Sequence, residues 1–234
     1  MLEAQGEGPA AGGLLPRGFF AGSSLVVAPR LLGCVLEHET REGLVAVMLT
    51  EVEAYDGAAD PASHAYRGRT GRNAVMFGGP GHAYVYFTYG MHFCVNLVCR
   101  PEGTASAVLL RAGRVTAGVP LATARRAAAR NGNDLARGPA RLCQALAIDR
   151  GQDGADVCDP GSPLRIRPAP AAGPGQPLPD VSRGPRVGIS AAAARPWRFW
   201  LTGDPTVSAY RPYARRARAK VISPPAGGDG TMPR

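Results

Sequence analysis

Residues 44–55, LVAVMLTEVEAY, form a run dense in Val, Leu and Met that is bounded by Gly43 and Gly57. Such a run reads as a β-strand, and a strand requires partners. Several are at hand. After the turn Gly78-Gly79-Pro80-Gly81, residues 83–88 and 93–99 are strongly β-forming and flank Tyr89-Gly90-Met91-His92 as a hairpin tip. Residues 107–111 make a short apolar strand ending in arginine, and 186–189 and 198–201 read as further strands. Helices are expected at 120–130 and 139–148, where Pro139 suits a first helical position. Strands therefore come in runs, with a few helices and no regular β-α alternation. The expected class is α+β (mixed α/β): a single domain with a predominantly antiparallel curved sheet, surrounding helices and a protruding β-hairpin.

The 234 residues, 45% of them hydrophobic, suffice for one sizeable core. Its expected extent is 14–222, between Gly/Pro/Ala-rich tails at 1–13 and 223–234 that lack periodicity, with 168–185 as a proline-rich surface loop. Glu3 and Glu7 stand where a signal peptide needs positive charge, and no apolar run is long enough to span a membrane, so a cytoplasmic protein is expected. Five scattered cysteines without a C-x-x-C pair predict buried, reduced thiols.

Charge is distributed unevenly. Residues 61–148 carry eleven arginines against Glu102 and Asp134, and 183–220 carry nine basic residues against Asp204, whereas 1–60 hold nine acids against three arginines. The middle and C-terminal thirds read as an anion-binding footprint. Biased coding alone could produce such arginine richness, so this feature needs support from the chemistry-bearing residues.

Period-two alternation places Glu51, Glu53 and Tyr55 on one strand face, an acid or base beside a flat stacking surface. Glu51 reads as part of an exposed polar face. A tyrosine next to glycine at a hairpin turn cannot readily fold under its own strands, so Tyr89 and Met91 are candidate wedge residues for a base stack. A zinc site built from His82, His92, Cys94 and Cys99 fits no common ligand spacing.

Six segments, in order, carry a resemblance: TEVEAYDGAADPASH, MFGGPGHAYVYFTYGMHFCVNLV, VLLRA, RGPARLCQAL, PRVGI and RPWRFWLTG. The resemblance extends beyond these segments to nearly everything from Leu14 to about Tyr210, in matching order and with similar spacing. The chain resembles the alkyladenine (3-methyladenine) DNA glycosylase family. The resemblance implies a metal-free, cofactor-free enzyme that flips alkylated or deaminated purines out of duplex DNA and hydrolyses the N-glycosidic bond, leaving an abasic site. It makes Glu53 the general base, with Arg111 and the backbone carbonyl of Val187 holding the water. Tyr55, His64 and Tyr86 become the walls of the base pocket, Asn96 a contact to the base edge, and Tyr89 the residue that fills the vacated stack.

More ordinary roles exist for each: a capped loop histidine at 64, a buried amide satisfying backbone at 96, a phosphate contact at 111. Thr88 and His92 are less apolar than the resemblance predicts. Arg67, Arg69, Arg72 and Arg141 are the expected contacts to the DNA backbone. The partner is double-stranded DNA containing damaged purines, bound by a monomer with no obligate protein partner and no membrane, in the cytoplasm and associated with the nucleoid. A non-catalytic binder of distorted or damaged DNA is the alternative. Lys220 is the only lysine, which disfavours Schiff-base strand cleavage and predicts a monofunctional enzyme.

Overall fold

The structure is a computed structural model that describes residues 13–88, 90–170 and 180–213. The expected tails, apart from Gly13, lie outside the described residues, as do Tyr89, residues 171–179 of the proline-rich segment and Lys220.

Among the described residues nine strands form one open antiparallel sheet: β1 (Val35–Thr40), β2 (Gly43–Tyr55), β3 (Ala83–Thr88), β4 (His92–Val98), β5 (Ala107–Ala117), β6 (Ala136–Arg137), β7 (Leu164–Arg167), β8 (Val181–Gly184) and β9 (Arg198–Leu201). Its main order is β3-β4-β5-β2-β1-β7, with β6 on β5 and the β8–β9 hairpin on the far half of β2. Three α-helices are described: α1 (Ser24–Leu31), α2 (Val119–Arg125) and α3 (Pro139–Leu146). Helix α1 packs on β2 and β5, and α3 on β4, β5 and β6. The mixed α+β class and single sheet-centred domain match expectation.

Strand β2 organises the rest. Its first half pairs with β1, its second half with β9, and nearly its whole length with β5. Being flanked on both edges and covered by α1, it buries both faces from Val45 onward almost without interruption, so alternation carries little information about exposure here. Register shifts against β5 fall on either side of Glu51, and such bulges bend a strand and re-aim its side chains. Gly113 sits opposite this irregular stretch, where a Cβ would lie 2.4 Å from the Met48 carbonyl oxygen, so only glycine admits the close approach. Just beyond β2, Gly57 adopts φ +54°, and a Cβ there would meet the Ala105 carbonyl at 2.1 Å.

Most buried apolar residues, among them Leu36, Val47, Val52, Leu110 and Leu146, form one cluster. A smaller one, built on Met76, Tyr84, Val98 and Ala107, has Tyr86 packed against it and backs the pocket described below. All five cysteines are free and four are buried.

The structure corrects several expectations. Residues 186–189 are a loop, not a strand: the Arg186 side chain is drawn inward by Asp60, taking the backbone out of the sheet. The strand in this region is β8, inside the segment expected to be a loop. Among the described residues it pairs only with β9, and an edge position tolerates the adjacent Pro185. Helix α2 stops at Arg125 instead of 130, because Arg126 turns inward to donate to the Leu135 carbonyl (3.2 Å) and Gln144 Oε1 (2.7 Å). Strand β5 runs on to Ala117, past the point where its apolar signal lapses into Gly113, Arg114 and Thr116. Helix α1, strands β1 and β7 and the short β6 carried no clear signal. Pro29 inside α1 and charged residues throughout β1 and β7 mask the pattern.

Candidate active site

Glu53 lies near the end of β2, directly across from Leu109 of β5 and Arg198 of β9, and is fully buried. Its Oε1 accepts the Val187 N–H at 2.7 Å and its Oε2 accepts the Tyr55 hydroxyl at 2.8 Å. Burial, and then the Glu53 charge, push the Tyr55 pKa well above its ordinary value, so this phenol stays a hydrogen-bond donor. A carboxylate has about four acceptor positions. Two are filled by these donors, which leaves room for a further partner.

Three elements converge to hold this arrangement. Arg111 of β5 brings Nη1 to 3.4 Å from Glu53 Oε1, while its Nε donates to Glu51 Oε1 at 2.7 Å. The loop carrying Val187 is held by Arg186, whose two terminal nitrogens grip Asp60 at 2.5 and 2.8 Å and whose Nη1 also donates to the Ala54 carbonyl. The same guanidinium lies 4.5 Å from the Tyr55 ring centroid and 5.1 Å from that of Trp197. Tyr55 is thus fixed by its hydroxyl on one side and by a cation against its face.

The partners of Glu53, namely Tyr55, Arg111 and Val187, join His64, Tyr86 and Asn96 in the walls of a pocket of about 260 Å³, and Glu53 itself lies buried behind those walls. The pocket is smaller than the roughly 300–1,000 Å³ of drug-sized ligand sites and suits a single flat heterocycle. His64 stacks edge-on against Tyr86, with centroids 4.5 Å apart, and its Nδ1 lies 3.0 Å from the Tyr84 hydroxyl. The residue has an exposed side, yet its ring is desolvated. That desolvation, and then the Arg72 cation, lower its pKa, so the imidazole is neutral at pH 7. Burial pushes the Tyr84 hydroxyl up to about 12, and burial followed by Cys94 raises Tyr86 as well. Asn96 donates Nδ2 to the Tyr84 carbonyl at 3.1 Å, so the amide satisfies backbone while also lining the pocket.

Of the seven residues expected to form the base pocket and its chemistry, six line this pocket, drawn from four strands and two loops, and the seventh, Glu53, is bonded to three of them from behind. Met91 stands 69% exposed at the hairpin tip, well clear of the pocket walls. Arg67 and Arg69 are exposed on the loop that follows His64 and Arg72 is exposed in the 3-10 turn Gly71–Phe77 just after it, 5.8 Å from the Tyr86 ring centroid. Arg141 projects from α3 and pairs with Asp134 at 2.6 Å. A second cavity shares Arg111 and Val187 as walls and continues past Arg137, Arg141 and Arg211. Among the described residues no three His, Cys, Asp or Glu side chains are grouped to hold a metal ion, and no helix is long and apolar enough to cross a membrane.

One expectation is overturned: Glu51 is not on an exposed face but fully buried, in contact with Arg111, Arg198 and Ser208. Arg186, Asp60 and Asn73 were missed. Asn73 donates to the His64 and Gly68 carbonyls and accepts the Thr70 N–H, which shapes the loop behind His64. Its only sequence signal is the capping-box position three residues after Thr70. Asp60 and Arg186 are 126 residues apart, and nothing local marks them as a pair.

Comparison with known proteins supplies an independent finding. The family described as methylpurine-DNA glycosylase matches residues 18–205. A protein of Streptomyces avermitilis, provisionally named a 3-methyladenine DNA glycosylase, is 57% identical over 206 residues, covering 87% of this chain and 95% of that protein. Similarly named proteins of Nocardia farcinica and Mycobacterium tuberculosis are 51% and 48% identical, covering 85% and 82% of this chain and 92% and 91% of their own lengths.

Proposed function

Because the chain belongs to the methylpurine-DNA glycosylase family, we propose that it excises damaged purines from duplex DNA by water attack directed by Glu53. The observation that carries this reading is a fully buried carboxylate whose hydrogen-bond partners, Tyr55 and Val187, line an aromatic pocket sized for one base. In the proposed step the water oxygen bonds to the sugar's anomeric carbon while the glycosidic C–N bond breaks. Glu53 accepts the water's proton and its charge stabilises the developing oxocarbenium character. An N3- or N7-alkylated purine already carries positive charge and departs with the bonding pair, so no second carboxylic acid is needed of the kind that O-glycosidases require.

Tyr86, Tyr55 and the neutral His64 select for electron-poor rings by stacking, since a cationic heterocycle is attracted to the electron-rich face of an aromatic. A damaged pair is also easier to unstack, which lowers the cost of extrusion. On this reading Met91 enters the duplex as the base leaves, a role supported by its exposure on the β3–β4 hairpin. We propose that the enzyme acts as a monomer in the cytoplasm. The product is an intact abasic strand, because arginines are too weakly nucleophilic to form a Schiff base and the chain has one lysine.

The direct test is a panel of duplexes, each carrying one 3-methyladenine, 7-methylguanine, hypoxanthine or ethenoadenine. Free base should be released from at least one of them, with strand breaks appearing only after alkali and no adduct trapped by borohydride. Binding to the panel without any release would favour the non-catalytic alternative. Salt gives a second expectation. If Arg67, Arg69, Arg72 and Arg141 each neutralise one phosphate, log affinity falls with log salt at a slope of about −3.6, or roughly 10²-fold between 50 and 200 mM. A flat response would remove these arginines from the DNA interface.

A further inference from the structure

Glu51 is not among the pocket walls, yet it is the most heavily bonded carboxylate near Glu53. It is fully buried; Oε1 accepts Arg111 Nε and Arg198 Nε at 2.7 Å each and the Ser208 hydroxyl at 2.9 Å, and Oε2 accepts the Ser208 N–H at 2.7 Å. The β2–β5 register shifts on both sides of this one residue. A sheet interior ordinarily avoids a charge, and bulges are devices for re-aiming a side chain, so this placement needs a reason.

We propose that Glu51 is a positioning residue that holds the Arg111 guanidinium off Glu53 and balances its charge, so that Glu53 remains a competent base. The inference rests on the reading of Glu53 given above. Arg111 spends Nε on Glu51, and its Nη1 stays 3.4 Å from Glu53 Oε1, longer than the roughly 2.7–2.9 Å of a charged hydrogen bond. Its Nη2 points instead toward the Ser208 hydroxyl at 3.4 Å. Glu51, Glu53, Arg111 and Arg198 together sum to zero charge. The other groups facing Glu53 do not disturb that balance: Tyr55 donates its hydroxyl, Val187 its N–H, and burial keeps Tyr86 of β3 and Cys94 of β4 protonated. Arg186, behind Tyr55, is matched by Asp60.

Without Glu51, two guanidiniums face a single carboxylate. Arg111 is then free to fork onto Glu53, occupying acceptor positions that the water needs and weakening Glu53 as a base. Glu51 itself is held in its charged form: burial pushes its pKa up, but Arg111 and Arg198 outweigh burial and bring it below the ordinary carboxylate value.

The test is single-turnover excision as a function of pH for the full-length wild type, Glu51→Gln, Arg198→Gln, the double variant, and Glu53→Gln. Glu51→Gln should lose about tenfold or more at neutral pH, with its acidic limb displaced downward by about one pH unit or more, as an added uncompensated cation dictates. Arg198→Gln removes a cation and should move the limb the opposite way, and the double variant should bring it back toward the wild type. Melting temperature and lesion-duplex affinity are followed in parallel. If Glu51 merely braces the sheet, stability and amplitude fall together and the limb stays in place; that result in Glu51→Gln overturns the proposal. Should Glu51→Gln not fold, an unmoved limb in Arg198→Gln overturns it equally. Wild-type activity in Glu53→Gln brings down the base assignment and this inference with it, whereas an inactive Glu53→Gln with unmoved limbs elsewhere brings down this inference alone.

Discussion

Glu53→Gln is expected to slow base excision by about 10²–10⁴-fold, the range general-base groups contribute, while binding to lesion-containing duplex stays within a few-fold of the wild type. The substitution preserves shape. The amide oxygen can still accept the Val187 N–H that now binds Oε1, and the amide nitrogen can face Tyr55, whose hydroxyl accepts as well as donates. Only the ability to take a proton and the negative charge are lost. Both act on the transition state, so the rate constant at saturating enzyme should fall and the dissociation constant should not. Single-turnover kinetics together with an equilibrium binding assay separates the two. Excision within a few-fold of the wild type would show that another group activates the water.

Arg186→Met should have the largest effect on stability, about 3–5 kcal/mol, because it strands a buried carboxylate. Arg186 and Asp60 are both fully buried as side chains and bonded through two parallel contacts. Methionine fills much of the volume but leaves Asp60 with no close cation, since the Arg195 guanidinium stays 3.9 Å away and is partly exposed. For a domain of this size the loss corresponds to a drop in melting temperature of roughly 6–20 °C. Pairing the change with Asp60→Leu should recover much of it, because removing both charges avoids the unpaired one. Activity is expected to stay low even in the recovered double variant, since the guanidinium also lies against Tyr55 and anchors the loop that presents Val187 to Glu53. A melting temperature unchanged by Arg186→Met would mean that Asp60 is solvated in solution.

Much of this was legible along the chain because it depends on local pattern. Strand β2 declared itself through twelve residues of apolar and β-branched content, and the β3–β4 hairpin through its aromatic run and the glycine at its turn. Helix α3 was announced by Pro139 at its start. The residues of the pocket were legible for a different reason: they lie within short motifs in a fixed order, so a resemblance could assign them before any geometry was known. The exposed arginines after His64 could be recognised from composition alone.

What stayed hidden was whatever depends on two distant segments meeting. Alternation along β2 put Glu51 and Glu53 on one face but could not tell whether that face met water. The answer came from β5 and β9 closing over it, bringing Arg111 and Arg198 from 60 and 147 residues away. The apolar pattern of 186–189 was strand-like, yet the buried attraction between Arg186 and Asp60 overrode local propensity and made that segment a loop. The sequence by itself determined the sheet-forming core and the hairpin, since these follow from side-chain chemistry and short-range periodicity. Only the tertiary structure decided which charges are buried together. Desolvating a carboxylate is unfavourable unless its cationic partners arrive in the same fold, and that pairing is a property of three-dimensional neighbours that no local window contains.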